Sequence, residues 1–144
     1  MLEAIAHHKV QVWVYTKNKK NQLSFLLLCT TKERGAFWQP ITGSVEKNES
    51  LEEAALREAK EETGLPFNNN IPTPIGYEFT FITKKGKIFE GVFQVEISIN
   101  QKNLIVLDNT EHQNYKWVSA EEALSLLKYE SNKKALNTLI IKIL

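Results

Sequence analysis

The sequence has a single cysteine, Cys29, in 144 residues. That excludes an internal disulfide framework and fits a reducing cytoplasm. Cys29 closes an apolar run and reads as a small core residue, not a nucleophile. Net charge is only +1, too little for a broad field that would hold nucleic acid or an anionic membrane. Apolar runs such as Phe25 to Cys29 are far too short to span a bilayer. The start, MLEAIAHHK, lacks the basic and apolar regions of a secretory leader. No repeat, low-complexity tract or linker interrupts the chain, so residues 1–144 read as one domain. At 42% hydrophobic and 24% charged residues, that domain is an ordinary globular one with enough chain for a sizeable core.

Strand and helix signals alternate irregularly along the chain. His8 to Tyr15 is a strand, with Val10, Val12 and Val14 on one face and Gln11, Trp13 and Tyr15 on the other. A polar turn, KNKKNQ, leads to the continuous apolar run Leu23 to Cys29, so a hairpin is expected. Pro74 to Thr83 and Lys87 to Ile99 form a second hairpin around Lys84-Lys85-Gly86. Tyr115 to Val118 is a last short strand. Helices follow over Ala120 to Lys128, capped by Ser119, and over Ser131 to Ile141. Without strict βαβ alternation, the pattern predicts a mixed sheet covered by helices.

The informative stretch is GSVEKNESLEEAALREAKEETGL, residues 43 to 65. A helix is predicted over Leu51 to Thr63, opened by a Ser50/Glu53 capping box and closed by Gly64 and Pro66. On a helical wheel Ala54, Ala55 and Ala59 share an apolar face, and Glu58 and Glu62 point into that same face, with Glu61 at its edge. Carboxylates so placed repel one another and resist burial. A solvated acidic stripe is the plain alternative. A hard divalent cation such as Mg²⁺, with Mn²⁺ as its substitute, resolves the conflict, because it prefers carboxylate oxygens and bridges to phosphates. Phe37 and Trp38 lie just ahead of this stretch. They either anchor its loop or wall a binding pocket, and in an extended segment at most one of them faces the pocket.

This stretch resembles the signature of the Nudix hydrolases. Gly43, Glu49, Arg57, Glu58, Glu61, Glu62, Gly64 and Leu65 match in register, with Ala59 small where a larger aliphatic is usual. The resemblance implies an α/β/α sandwich around a mixed sheet and a metal-dependent pyrophosphohydrolase. Glu58, Glu61 and Glu62 are the expected metal ligands, and the resemblance adds the Gly43 carbonyl. Arg57 is expected to orient the carboxylates through a bidentate contact, and Glu49 to act from the loop. Family members bring a further acid from a late loop. Glu111 takes that place as ligand or general base, while its neighbour His112 reads as a surface or packing residue.

A narrower resemblance rests on FWQPITGSVE, EHQNYKW and Ser131-Asn132. These segments look like those of bacterial dihydroneopterin triphosphate pyrophosphohydrolases, which also cleave dATP and serve folate synthesis. That resemblance implies a substrate contact at Thr42. Thr30-Thr31 stand where basic residues are usual, so Lys9 or Arg34 must meet the phosphates. Phe37, Tyr115, Tyr77, Phe79 and Phe81 are available for stacking a ring, and Gln39 and Asn132 for its edge or the phosphates. The partner is thus a small nucleotide or pterin triphosphate, met by a monomer or homodimer. A Nudix enzyme for a dinucleoside polyphosphate or an oxidised nucleotide is the second reading. A binding module without catalysis ranks last, because no acidic position is broken.

Overall fold

The computed structural model describes residues 4–144. Residues 1–3, within the segment read above for a leader and within the expected domain, lie outside it. The strands are β1 (Ile5–Lys17), β2 (Leu23–Thr30), β3 (Trp38–Gln39), β4 (Ile41–Ser44), β5 (Thr73–Thr83), β6 (Gly86–Glu96) and β7 (His112–Val118). The helices are α1 (Leu51–Thr63), α2 (Ala120–Leu126) and α3 (Glu130–Ile143). No described helix is long and apolar enough to cross a membrane.

All seven strands join one mixed sheet. β1 pairs in parallel with β6 along most of its length. Its other edge is shared: Lys9 to Val12 pair with β4, and Tyr15 to Lys17 pair with β2. The sheet therefore forks at β1. One branch carries β4, the other carries β2 with β3 and β7.

The strict two-residue period of a strand builds two cores. Val10, Val12 and Val14 of β1 and Leu26 and Leu28 of β2 face α1, packing on Ala54, Ala55 and Ala59. Trp13, Tyr15, Phe25 and Leu27 face the other way, onto Ala123 of α2 and Ala135, Leu136 and Leu139 of α3. This is the mixed sheet covered by helices that the sequence pattern predicts, in the α/β/α sandwich that the resemblance implies.

Helix α1 runs over the span its signals predict. The Ser50 hydroxyl accepts from the Glu53 amide at 3.0 Å, and the Glu53 carboxylate accepts from the Ser50 amide at 2.9 Å. Gly64 closes the helix at φ +72°, a left-handed conformation that favours glycine.

Element ends moved where the sequence signal was weak. β1 begins at Ile5, before the alternation becomes regular. β6 stops at Glu96, because Ser98 starts a 3-10 turn whose amide is capped by Gln101. β7 begins three residues earlier than expected: polar His112 and Asn114 pair with Thr30 and Cys29 across a register shift. The two-residue β3 and four-residue β4 fall below the length at which periodicity can be read. Helix α2 ends at Leu126, and α3 begins at Glu130.

The capping box ties α1 to the loop that precedes it. Ser50→Ala should lower unfolding free energy by about 1 kcal/mol, read as a shift in urea midpoint with an unchanged slope. An unshifted midpoint would mean that loop packing alone fixes the start of α1.

Candidate active site

Packing α1 on the sheet buries two carboxylates. Glu58 is 7% exposed and Glu62 is fully buried, as their wheel positions require. The Glu58 carboxyl lies directly against the Cα of Gly43 on β4, and a Cβ built there would overlap it. This close approach explains a glycine in the middle of a strand. Glu61, one residue before Glu62, is exposed instead.

Arg57 gathers the acids around it. Its Nε and Nη2 donate to the two oxygens of Glu49 at 2.8 and 3.0 Å, the bidentate geometry that guanidinium and carboxylate share. Nη1 donates to Glu58 Oε1 at 2.9 Å and reaches Glu61 at 3.4 Å. Nη2 also donates to the Ser44 carbonyl at 2.8 Å, one residue past Gly43. The Glu49 hydrogen bond holds Arg57 firmly protonated, and Arg57 in turn holds Glu49 below its ordinary value.

The environments of Glu58 and Glu62 push the other way. Burial raises Glu58 from 4.5 to about 7 despite its bond to Arg57, with Glu61 and Glu111 adding repulsion. Glu62 is raised further, first by burial and then by the adjacent Glu111 and Glu58. His112 Nδ1 donates to Glu62 Oε2 at 2.7 Å. Glu62 Oε1 is buried with no partner among the described residues.

His112 was read as a surface or packing residue, yet it is 1% exposed and sits within this cluster. Burial lowers its pKa, against the pull of Glu111 and Asp108, and so favours the neutral ring. Gln39 Nε2 lies 3.1 Å from His112 Nε2. A neutral ring that accepts from the Gln39 amide at Nε2 must carry its proton on Nδ1 and donate to Glu62. Both ring nitrogens are then engaged, so His112 aligns Glu62 and is not itself free to bind a cation. Only the register of β7, begun earlier than expected, brings it there.

Glu111 sits in the turn before β7. Its carboxylate adjoins Glu62 and pairs with Arg34 at 3.5 Å. Glu58, Glu62 and Glu111 thus converge with one buried oxygen unpartnered. An oxygen so placed requires a proton or a cation, and a set of hard carboxylate oxygens fits Mg²⁺ or Mn²⁺.

On the other side of Gln39 lies a pocket of about 810 Å³, large enough for a nucleotide-sized molecule. Lys9, Phe37, Gln39, Thr42 and Asn132 all line it. Arg34 reaches it too, so the Arg34–Glu111 pair is a second link between pocket and acids. Tyr77, Phe79 and Phe81 form one wall, a ladder of tilted rings with centroids 5.9 and 6.0 Å apart. Phe37 packs edge-on to Tyr129 with centroids 5.5 Å apart. Trp38 faces away, toward the α2/α3 core and under Lys116, as alternation demands.

Tyr115 is a correction. It packs on the α1-side core and does not line the pocket, because its place in β7 turns it to that face. Glu90 of β6 is an addition: it lines the pocket at 5% exposure. An acid set between apolar residues in mid-strand, Ile88-Phe89 before it and Val92-Phe93 after, is the available signal.

Residues 7–139 match the family model described as the NUDIX domain. The chain is 30% identical over 142 residues to dihydroneopterin triphosphate diphosphatase of Escherichia coli, covering 92% of this chain and 91% of that one. The solved structure of the E. coli dihydroneopterin triphosphate pyrophosphohydrolase superposes with a TM-score of 0.78 at 27% identity, covering 96% and 99% of the two chains. The asymmetrical bis(5'-nucleosyl)-tetraphosphatase of Mus musculus is 28% identical over 121 residues, 83% of this chain and 80% of that one.

The acid cluster makes stability depend on pH in the metal-free protein. Glu58 titrates at 4.5 unfolded and at about 7 folded. Its contribution is therefore fully present below about 4.5 and lost as pH rises through about 7. The melting temperature in chelator should fall across that window, and Mg²⁺ should raise it most at the upper end. A flat profile in chelator would show that Glu58 is ionised at no cost.

Proposed function

The chain belongs to the Nudix family and is a pyrophosphohydrolase acting on phosphoric anhydride bonds, and on that premise we propose that its substrate is dihydroneopterin triphosphate, cleaved in preference to dATP. In this proposal residues 1–144 act as one catalytic domain. The observation that carries it is the pair of links, Gln39–His112–Glu62 and Arg34–Glu111, joining the aromatic pocket to the acidic cluster. A ring stacked in the pocket would place its phosphates over the carboxylates.

Phosphoric anhydrides resist water because their oxygens are anionic. Glu58 and Glu62 are assigned to hold Mg²⁺, with Glu111, Glu61 and the Gly43 carbonyl completing its surroundings. A bound divalent ion neutralises phosphate charge and acidifies water. Arg57 keeps Glu58 in place through its clasp on Glu49, and His112 does the same for Glu62. Glu111, partly exposed beside the pocket, is the proton acceptor for the attacking water. Cleavage between the first and second phosphates yields a monophosphate and pyrophosphate. Arg34 and Lys9 supply positive charge to the phosphates, and Thr42, Gln39 and Asn132 supply polar contacts.

The second reading is a dinucleoside polyphosphate. It draws support from the mouse relative and from Phe37 and Tyr129 on the pocket lining, where Lys128 Nζ lies 4.9 Å from the Phe37 ring centroid and could meet a second base or a longer phosphate chain.

Glu62→Gln should lower turnover at least about 100-fold while leaving melting temperature equal or higher, since it removes a buried repulsion. Full turnover in chelator, or an unimpaired variant, would refute the metal assignment. Catalytic efficiencies for dihydroneopterin triphosphate, dATP and a diadenosine polyphosphate under one Mg²⁺ condition decide the substrate. The expected order is as written, and a win for the dinucleotide transfers the assignment to the second reading.

A further inference from the structure

We propose that Glu90 selects the substrate ring by accepting two adjacent N–H donors, the edge that a 2-amino-4-oxopyrimidine presents in pterins and in guanine. The inference rests on the proposed function only in taking the aromatic pocket as the place of the ring.

The argument starts in the core. Trp13 is fully buried, and an indole N–H can only donate. It donates to Gln11 Oε1 at 2.6 Å. The orientation of the buried Gln11 amide is thereby fixed, with its NH₂ turned outward. That NH₂ donates to Glu90 Oε2 at 2.8 Å. The polarity of the whole chain is set from the inside, and it ends on an acceptor at the wall of the pocket.

The other oxygen, Glu90 Oε1, accepts no hydrogen bond from the described residues and is not fully enclosed, so it opens to the pocket. Glu90 is 95% buried by its 5% exposure, yet it lines the pocket. A carboxylate so largely withdrawn from water, with a single protein donor on it, is costly unless something in the pocket supplies donors. A purely structural role would be met by a neutral amide at less cost. Burial does push Glu90 above the ordinary carboxylate value, while Gln11 and the nearby Lys9 pull it back.

The surroundings define the shape of the ligand. Phe79 is the partner of Glu90 in the β5–β6 register, so its ring stands beside the carboxylate on the same face. Tyr77 and Phe81 extend that aromatic surface. A flat ring lying on Phe79 would turn its edge to Glu90. Two parallel N–H···O bonds to a carboxylate need adjacent donors, which the N–H and NH₂ of guanine and pterin provide. Adenine offers one donor beside one acceptor, and hypoxanthine lacks the amino group.

GMP and IMP differ only in that amino group, so they isolate the edge. Dissociation constants for both are measured by calorimetry with Mg²⁺ present, for the wild-type protein, Glu90→Gln and Phe79→Ala. The wild-type protein should bind GMP at least about tenfold more tightly than IMP. Glu90→Gln should bring the ratio near one, chiefly by weakening GMP. Phe79→Ala should weaken both and leave the ratio. Equal binding of GMP and IMP by the wild-type protein, or a GMP preference that survives in a folded Glu90→Gln, overturns the proposal. If Glu90→Gln does not fold, the wild-type ratio and Phe79→Ala decide. Triphosphate hydrolysis, assayed in parallel, tests the reaction separately. Hydrolysis without a GMP preference sinks the role of Glu90 alone, and a GMP preference without hydrolysis sinks the reaction alone.

Discussion

The structure depends on carboxylates held where water cannot reach them. Glu58 and Glu62 occupy positions on α1 that a packed helix would give to apolar side chains, between the alanines that seat it on the sheet. Every neighbouring feature serves to hold that arrangement. Gly43 lacks a side chain so that the Glu58 carboxyl can lie against the strand. Three small alanines allow α1 to approach closely enough to bury it. The strain is electrostatic and not steric, so a divalent ion held there, as proposed, would relieve it by charge alone.

Arg57 and His112 manage the two acids differently. Arg57 is charged and partly exposed, and it binds Glu49, Glu58 and the Ser44 carbonyl at once. It joins loop, strand and helix into one rigid corner and leaves Glu58 with an oriented oxygen. His112 is buried, which favours its neutral form, and a neutral ring adds direction without charge. A second cation at that depth would compete with a metal for Glu62. A neutral imidazole fixes one oxygen and leaves the other unpartnered.

Much of this was legible in the sequence where local chemistry decides the outcome. The Ser50/Glu53 box and Gly64 delimit α1 because caps act within a few residues. The phase of Glu58 and Glu62 followed from helical geometry alone. Lys9, Phe37, Gln39, Thr42 and Asn132, with Arg34 and the aromatics Tyr77, Phe79 and Phe81, line the pocket as the sequence reading suggests, although their roles there belong to the proposal. What could not be read depends on register between distant strands. His112 reaches Glu62 only because β7 pairs with β2 from Thr30 onward, fifty residues of sequence from its partner. Tyr115 turns away for the same reason. Glu90 gains meaning only when β6 lies beside β1 and meets Gln11. Side-chain period gives the face of a strand but not its neighbour.

In the proposed function the two faces of β1 separate chemistry from recognition. Val10, Val12 and Val14 support α1 and hence the acids. Lys9 and Gln11 look to the pocket side, with Trp13 behind them. The aromatic wall of the pocket comes from the β5–β6 hairpin, whose outer strand is an edge, with Pro74 and a register shift that a central strand would not tolerate. Substitutions on that edge alter the wall without disturbing the ladder between β1 and β4 that fixes Gly43. The acids answer to a fixed requirement, a charged anhydride and a hard cation, whereas the wall answers to whichever ring the phosphates carry. A fold that puts these demands on opposite faces of one strand, and bridges them through Gln39 and His112, lets the ring change while the cleavage chemistry stays. For this reason the family resemblance carries further for the reaction than for the substrate.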